Sequence, residues 1–156
     1  MANSNRKRIL DNLVSTIAAI TVAGGYNLGC GQCVRGYKHF NQVPEDLLTG
    51  TKFAAYVAGA DEKRKNNAQR TFHSEILASV LVYVLTPSAE NTVQLEQDLD
   101  SAIEDITKAL MVDVTRGGYA ITTEITDIDT DKGSFQPYAG AEILVRMEYR
   151  ASVSTP

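Results

Sequence analysis

The segment 141–153 (AEILVRMEYRASV) sets the strongest constraint on the fold. Ala141, Ile143, Val145, Met147, Tyr149, Ala151 and Val153 fall on one face. Glu142, Arg146, Glu148, Arg150 and Ser152 fall on the other, with Leu144 as the exception. Alternation with a period of two is the mark of a β-strand with one buried and one wet face. At about 3.3 Å per residue this strand would reach roughly 43 Å, whereas the usual strand has about 5–6 residues. A strand that outruns its own domain implies a sheet shared with, or packed against, neighbouring subunits.

The rest of the chain supplies partners for that strand. Ile9, Leu10, Leu13, Val14 and Ile17 form one apolar stripe, which predicts a helix over 5–20 with Asn3 or Ser4 as its cap. Gly24 and Gly25 end it. A glycine-weakened strand is expected over 26–37, then a Pro44-containing loop over 39–50, then a strand over 51–59 with Phe53 and Val57 inside. The charged and Asn-rich stretch 61–69 has the chemistry of an exposed hairpin tip. Residues 71–85 form a second long strand, apolar on both faces in its second half and therefore central and covered.

Leu95, Leu99, Ala102, Ile103, Ile106 and Leu110 define a helix over 91–112, its acids placed opposite the stripe. A strand over 119–128 breaks at Asp127, and a polar loop over 129–140 leads into the final strand. Segregated helices and hairpin-like links give an α+β domain: a mainly antiparallel sheet with two amphipathic helices packed on it. The 156 residues fit a single domain, 1–156.

Composition narrows the function. A formal charge of −4 argues against a general nucleic-acid binder. The charge is unevenly spread, however. Lys63, Arg64, Lys65 and Arg70 are basic, and the segment 90–105 carries Glu90, Glu96, Asp98, Asp100, Glu104 and Asp105 against no base. No apolar run approaches the roughly 18 residues of a membrane span, and no signal-peptide pattern is present, so a cytoplasmic protein without a membrane partner is expected.

Each motif that invites chemistry has a plainer reading. Cys30-Gly31-Gln32-Cys33 has the spacing of a redox dithiol or half a zinc site. It lacks the strand-to-helix setting of the first and the remaining ligands of the second, so two incidental semi-buried thiols are expected. A catalytic His73 would need a nucleophile and a carboxylate converging on it in the fold; Glu75, two residues away on the same face, is simply a strand neighbour, so His73 reads as a solvated or interface histidine. Asp127, Asp129 and Asp131 resemble the start of a calcium loop. Lys132 stands where its sixth-position glycine belongs and Tyr138 where its glutamate belongs, so the match fails. Gly24, Gly25, Gly29 and Gly31 are followed by no phosphate-loop Lys. No catalytic or metal residue and no cofactor is expected.

The order of elements resembles a known family. An amphipathic helix leads to a "GYN…VRG" stretch. Two long strands flank a charged hairpin, a helix ends in "DITKALMVD", and the last strand carries "MEYR". This layout, over 8–20, 26–36, 72–85, 95–113, 119–128 and 141–149, resembles the tail terminator (tail completion) proteins of long-tailed bacteriophages.

The resemblance implies a non-enzymatic virion protein at the tail–neck junction, assembled in the host cytoplasm. It would form a ring, six copies being usual, that caps the tail tube, ends its polymerisation and docks the neck (head-completion) protein. Genomic DNA would pass through its lumen without specific binding. The interface residues expected on this reading are Lys63, Arg64, Lys65, Arg70, Asp129, Asp131, Lys132, Glu142, Arg146, Glu148 and Arg150. Two alternatives belong to other classes: another neck or tail part (stopper, adaptor or tube protein), and a small thiol-dependent enzyme using Cys30 and Cys33.

Overall fold

A computed structural model describes residues 4–44, 48, 52–66, 71–85, 92–133 and 137–152. The chain runs α1 (Asn5–Ala18), β1 (Gly29–Arg35), a short 3-10 turn (Phe40–Gln42), β2 (Lys52–Asn66), β3 (Thr71–Leu85), α2 (Thr92–Val112), β4 (Thr122–Thr130) and β5 (Tyr138–Ser152). The five strands make one sheet in the order β1-β2-β3-β5-β4. It is the α+β, mainly antiparallel architecture with two helices that the periodicities imply.

The main core lies between the helices and one face of the sheet. Ser4 caps α1, its hydroxyl accepting from the Lys7 N–H at 3.2 Å. The stripe Ile9, Leu10, Leu13 and Ile17 is fully buried. α2 contributes Leu95, Leu99, Ala102, Ile106 and Leu110. The sheet contributes Ile76, Ala78, Val80, Val82 and Val84 from β3, with Ile143, Val145, Met147 and Tyr149 from β5. The apolar face of the final strand therefore covers the helices, as its alternation requires.

A second, smaller core sits on the opposite face at the other end of the strands. The connection from β1 to β2 folds across it, burying Val43 and Leu48 against Ala54, Tyr56 and Tyr83. Tyr83 Oη donates to the Lys38 carbonyl at 2.8 Å and fastens this connection down. It explains the two-sided apolar character of β3 near Tyr83: both faces are covered there.

Several elements differ from the sequence expectation. β1 pairs with β2 in parallel, not by a hairpin-like link. Parallel neighbours need a connection of about a dozen residues or more, and residues 36–51 supply it. Residues 26–28 precede the strand, which begins at Gly29. The expected hairpin tip is strand through Asn66, because Asp61–Asn66 pair residue by residue with Leu77–Phe72; residues 67–70, including Arg70, lie outside the described residues. Asp127 does not end β4. The register shifts between Ile125 and Asp127, a bulge absorbs the irregularity, and pairing resumes to Thr130. Asp129 and Thr130 thus belong to β4, and Tyr138–Gly140 to β5, rather than to a loop.

Candidate functional site

The sheet face turned away from the helices carries most of the charged residues singled out in the sequence. Lys63 and Lys65 on β2, His73 and Glu75 on β3, and Glu142, Arg146, Glu148 and Arg150 on β5 share it, with Glu124, Asp127 and Asp129 on β4. The period of two brings them together from four strands.

Arg146 is the hub. It donates to Glu75 Oε1 at 2.8 Å and is also hydrogen bonded and ion paired with Glu124 and Glu148. Three carboxylates from three strands thus converge on one guanidinium, a geometry suited to arginine's fork of donors. The bond to Arg146 holds the Glu75 carboxyl below the ordinary glutamate range, and the same carboxylates raise Arg146. His73 Nε2 lies 3.5 Å from Glu148 Oε2, an ion pair when the ring is protonated. The alternating charge of β5 is therefore consumed largely within the subunit at Arg146 and Glu148, rather than left wholly for a neighbour.

Among the described residues, His73, Glu75 and Glu148 bring ligand atoms within 4.8 Å of one another, enough to consider a metal ion. Arg146 already neutralises both carboxylates through their Oε1 atoms, so a metal would have to share them with a guanidinium. The chemistry of the set fits a cross-strand ion-pair lattice better than a metal centre.

Arg64 departs from its neighbours: alternation turns it to the helix side. There Glu62 accepts from Arg64, from Arg6 Nη1 at 3.3 Å and from Tyr149 Oη at 2.8 Å. The Arg64 guanidinium also lies 4.5 Å from the Phe72 ring centroid. Burial pushes the Glu62 carboxyl up, but Arg64, Tyr149 and Arg6 together hold it below its ordinary value. This cluster ties α1 to the far ends of β2 and β5.

At the opposite end, Asp129 and Glu142 face each other across β4 and β5, both exposed. Glu142 accepts from Ser79 Oγ at 2.9 Å. They border a cavity of about 220 Å³ that is walled by Tyr37, His39, Leu81 and Tyr83. Burial, followed by Tyr37 and Tyr56, pushes the Tyr83 hydroxyl up to about 12 and keeps it neutral. Asp131 lines the same cavity, and its N–H donates to the Gly140 carbonyl at 2.9 Å. Lys132, at φ 53°, occupies the turn beyond.

Two polar residues that sequence reasoning missed are buried. Asp105 is not on a wet acidic face. It accepts from the N–H groups of Asn27 and Leu28, at 2.9 and 2.7 Å, and pins the segment before β1 to α2. Arg116, at φ 50°, donates to the carbonyls of Leu110 (2.7 Å) and Asp113 and to Thr16 Oγ1 (3.3 Å). Its guanidinium satisfies carbonyls at the C-terminus of α2 and links α2 to α1.

Burial disfavours the thiolate form of both cysteines. Burial pushes Cys30 up to about 12, and burial aided by Cys30 does the same for Cys33. A reactive dithiol needs a depressed value. The outer face thus carries an ordered ion-pair network around Arg146 and, farther along the strands, an acidic, aromatic-walled cavity. No protein-family model and no curated protein matches the chain.

Proposed function

We propose that this chain is a structural virion protein, a tail terminator that closes into a ring on the tail tube of a long-tailed bacteriophage. In that role it ends tube polymerisation, offers a face to the neck protein and lets DNA pass through its lumen. The observation that carries the reading is the length of the sheet. β2, β3 and β5 each run 15 residues, roughly 50 Å at 3.3 Å per residue. α2, at 21 residues, covers about 32 Å at 1.5 Å per residue. α1 reaches the far end of the sheet through Arg6 and Glu62, but the end of β2 forms an overhang there, and Lys63–Asn66 is exposed. Neighbouring copies would cover that overhang, together with the outer edges of β1 and β4, which pair on one side only among the described residues.

A head-to-tail contact between unlike surfaces closes into a ring when its rotation permits. The raised thiols give the enzyme alternative no support. The test is negative-stain imaging of the pure protein, alone and with purified tail tubes. Discrete rings that cap tube ends are expected. Monomers that ignore tubes would overturn the proposal, and spontaneous growth into tubes would make the chain a tube protein instead.

A further inference from the structure

The outer sheet face holds two like-charged pairs in direct register, Glu75 opposite Glu148 and Asp129 opposite Glu142. Facing carboxylates repel. The first pair is bridged by the Arg146 guanidinium. The second has no Lys or Arg within 4 Å of either carboxylate among the described residues, and it opens onto the cavity walled by Tyr37, His39 and Tyr83. Lys38, the nearest cation in sequence to that wall, is turned to the Tyr56 ring, 5.6 Å from its centroid. Carboxylates beside aromatic rings make a site for an organic cation, an alkylammonium or guanidinium.

The same face offers such cations at its other end. Lys63, Lys65 and Arg150 are exposed and make no ion pair within 4 Å among the described residues. They cannot reach the cavity of their own subunit. Arg150 and Glu142 are separated by eight positions along β5, about 26 Å of strand. An acidic socket and a basic end that fit each other but cannot meet within one chain are the two halves of a head-to-tail contact.

We infer that the Asp129/Glu142 cavity is a socket for the Lys63/Lys65 end of a second copy of this chain. The inference rests on the ring reading and names its seam. Lysine ammonium groups from one subunit would place the missing cation between Asp129 and Glu142, as Arg146 does internally for the other pair.

The test uses two double variants, Lys63→Gln with Lys65→Gln and Asp129→Asn with Glu142→Gln. All four positions are exposed, and circular dichroism checks that the fold is kept. Sedimentation velocity at low salt should give a discrete oligomer for the wild type. Each variant alone should assemble about tenfold more weakly or worse. Mixed together, they should form a one-to-one pair and nothing larger, because only one functional socket meets one functional basic end. Wild-type assembly by both variants would overturn the socket and leave the ring reading standing. Loss in only one variant, or a mixture without the pair, would also overturn the socket. A wild type that stays monomeric at every concentration would overturn the ring reading, and the socket with it.

Discussion

Glu75 and Glu148 stand directly opposite each other on β3 and β5, and a single guanidinium, that of Arg146, binds both. Repulsion between them is thereby turned into a three-strand clamp, since Glu124 on β4 also holds Arg146.

Arg146→Met should lower the denaturation midpoint at pH 7 by leaving facing carboxylates without their cation. The folded-state value of Glu75 is depressed by Arg146, so its stabilisation is present above the unfolded value and fades as pH falls through the folded one. The gap between variant and wild type should therefore shrink in acid. Urea titrations at pH 7 and pH 4 check this, and a gap that widens in acid would contradict the clamp.

Glu62→Gln should cost about 2 kcal/mol, the range for hydrogen bonds to a charged group. Glu62 accepts from Arg6, Arg64 and Tyr149. Its carboxyl is held low, so the wild type should lose this stabilisation as pH drops below the unfolded value of about 4.3. The Gln variant should lack that part of the acid dependence. Parallel urea curves across pH 3–7 are the measurement.

Arg116→Ala should cost on the order of 2–3 kcal/mol by leaving buried carbonyls of the α2 terminus unbonded. Arg116→Gly relieves the positive φ but still loses the guanidinium, so it should remain well below wild type in thermal stability. Equal stability of the Arg116→Ala variant and the wild type would mean that the guanidinium contributes nothing, whereas equality for Arg116→Gly would only mean that relief of the positive φ offsets its loss.

Cys30 and Cys33 should react slowly with alkylating reagents at pH 8 and quickly once the chain is unfolded. Both are raised to about 12 by burial, whereas unfolded thiols ionise near 8.5. The unfolded state thus loses its protons first, and stability should fall as pH rises from about 8.5 toward 12. Replacing both residues by Ala should remove the part of that loss that sets in at about pH 8.5, leaving the part above about pH 10 to which the raised Tyr83 contributes. Fast alkylation of the folded protein would reopen the thiol chemistry.

What the sequence makes legible is periodic and local. The buried face of β5 follows from Ile143, Val145, Met147 and Tyr149, and the stripes of α1 and α2 from their spacing. Asp61–Asn66 misleads because its composition is that of a turn, and only pairing with β3 makes it a strand. The parallel β1–β2 pair leaves one readable sign, the long connection over 36–51, which taken alone reads simply as a loop. Asp105 looks no different from Asp100 in sequence. Its partners, Asn27 and Leu28, are 78 and 77 residues away, so its role depends on tertiary structure. Arg116 lies beside Gly117 and Gly118, where a turn is legible but a buried guanidinium is not.

The chain between β1 and β2, laid across only one end of the outer face, divides that face into a clad half and a bare half. The boundary between them is a ledge. Tyr37 and His39 in that crossing segment also wall the Asp129/Glu142 cavity, so a change that loosens the segment reshapes the cavity with it.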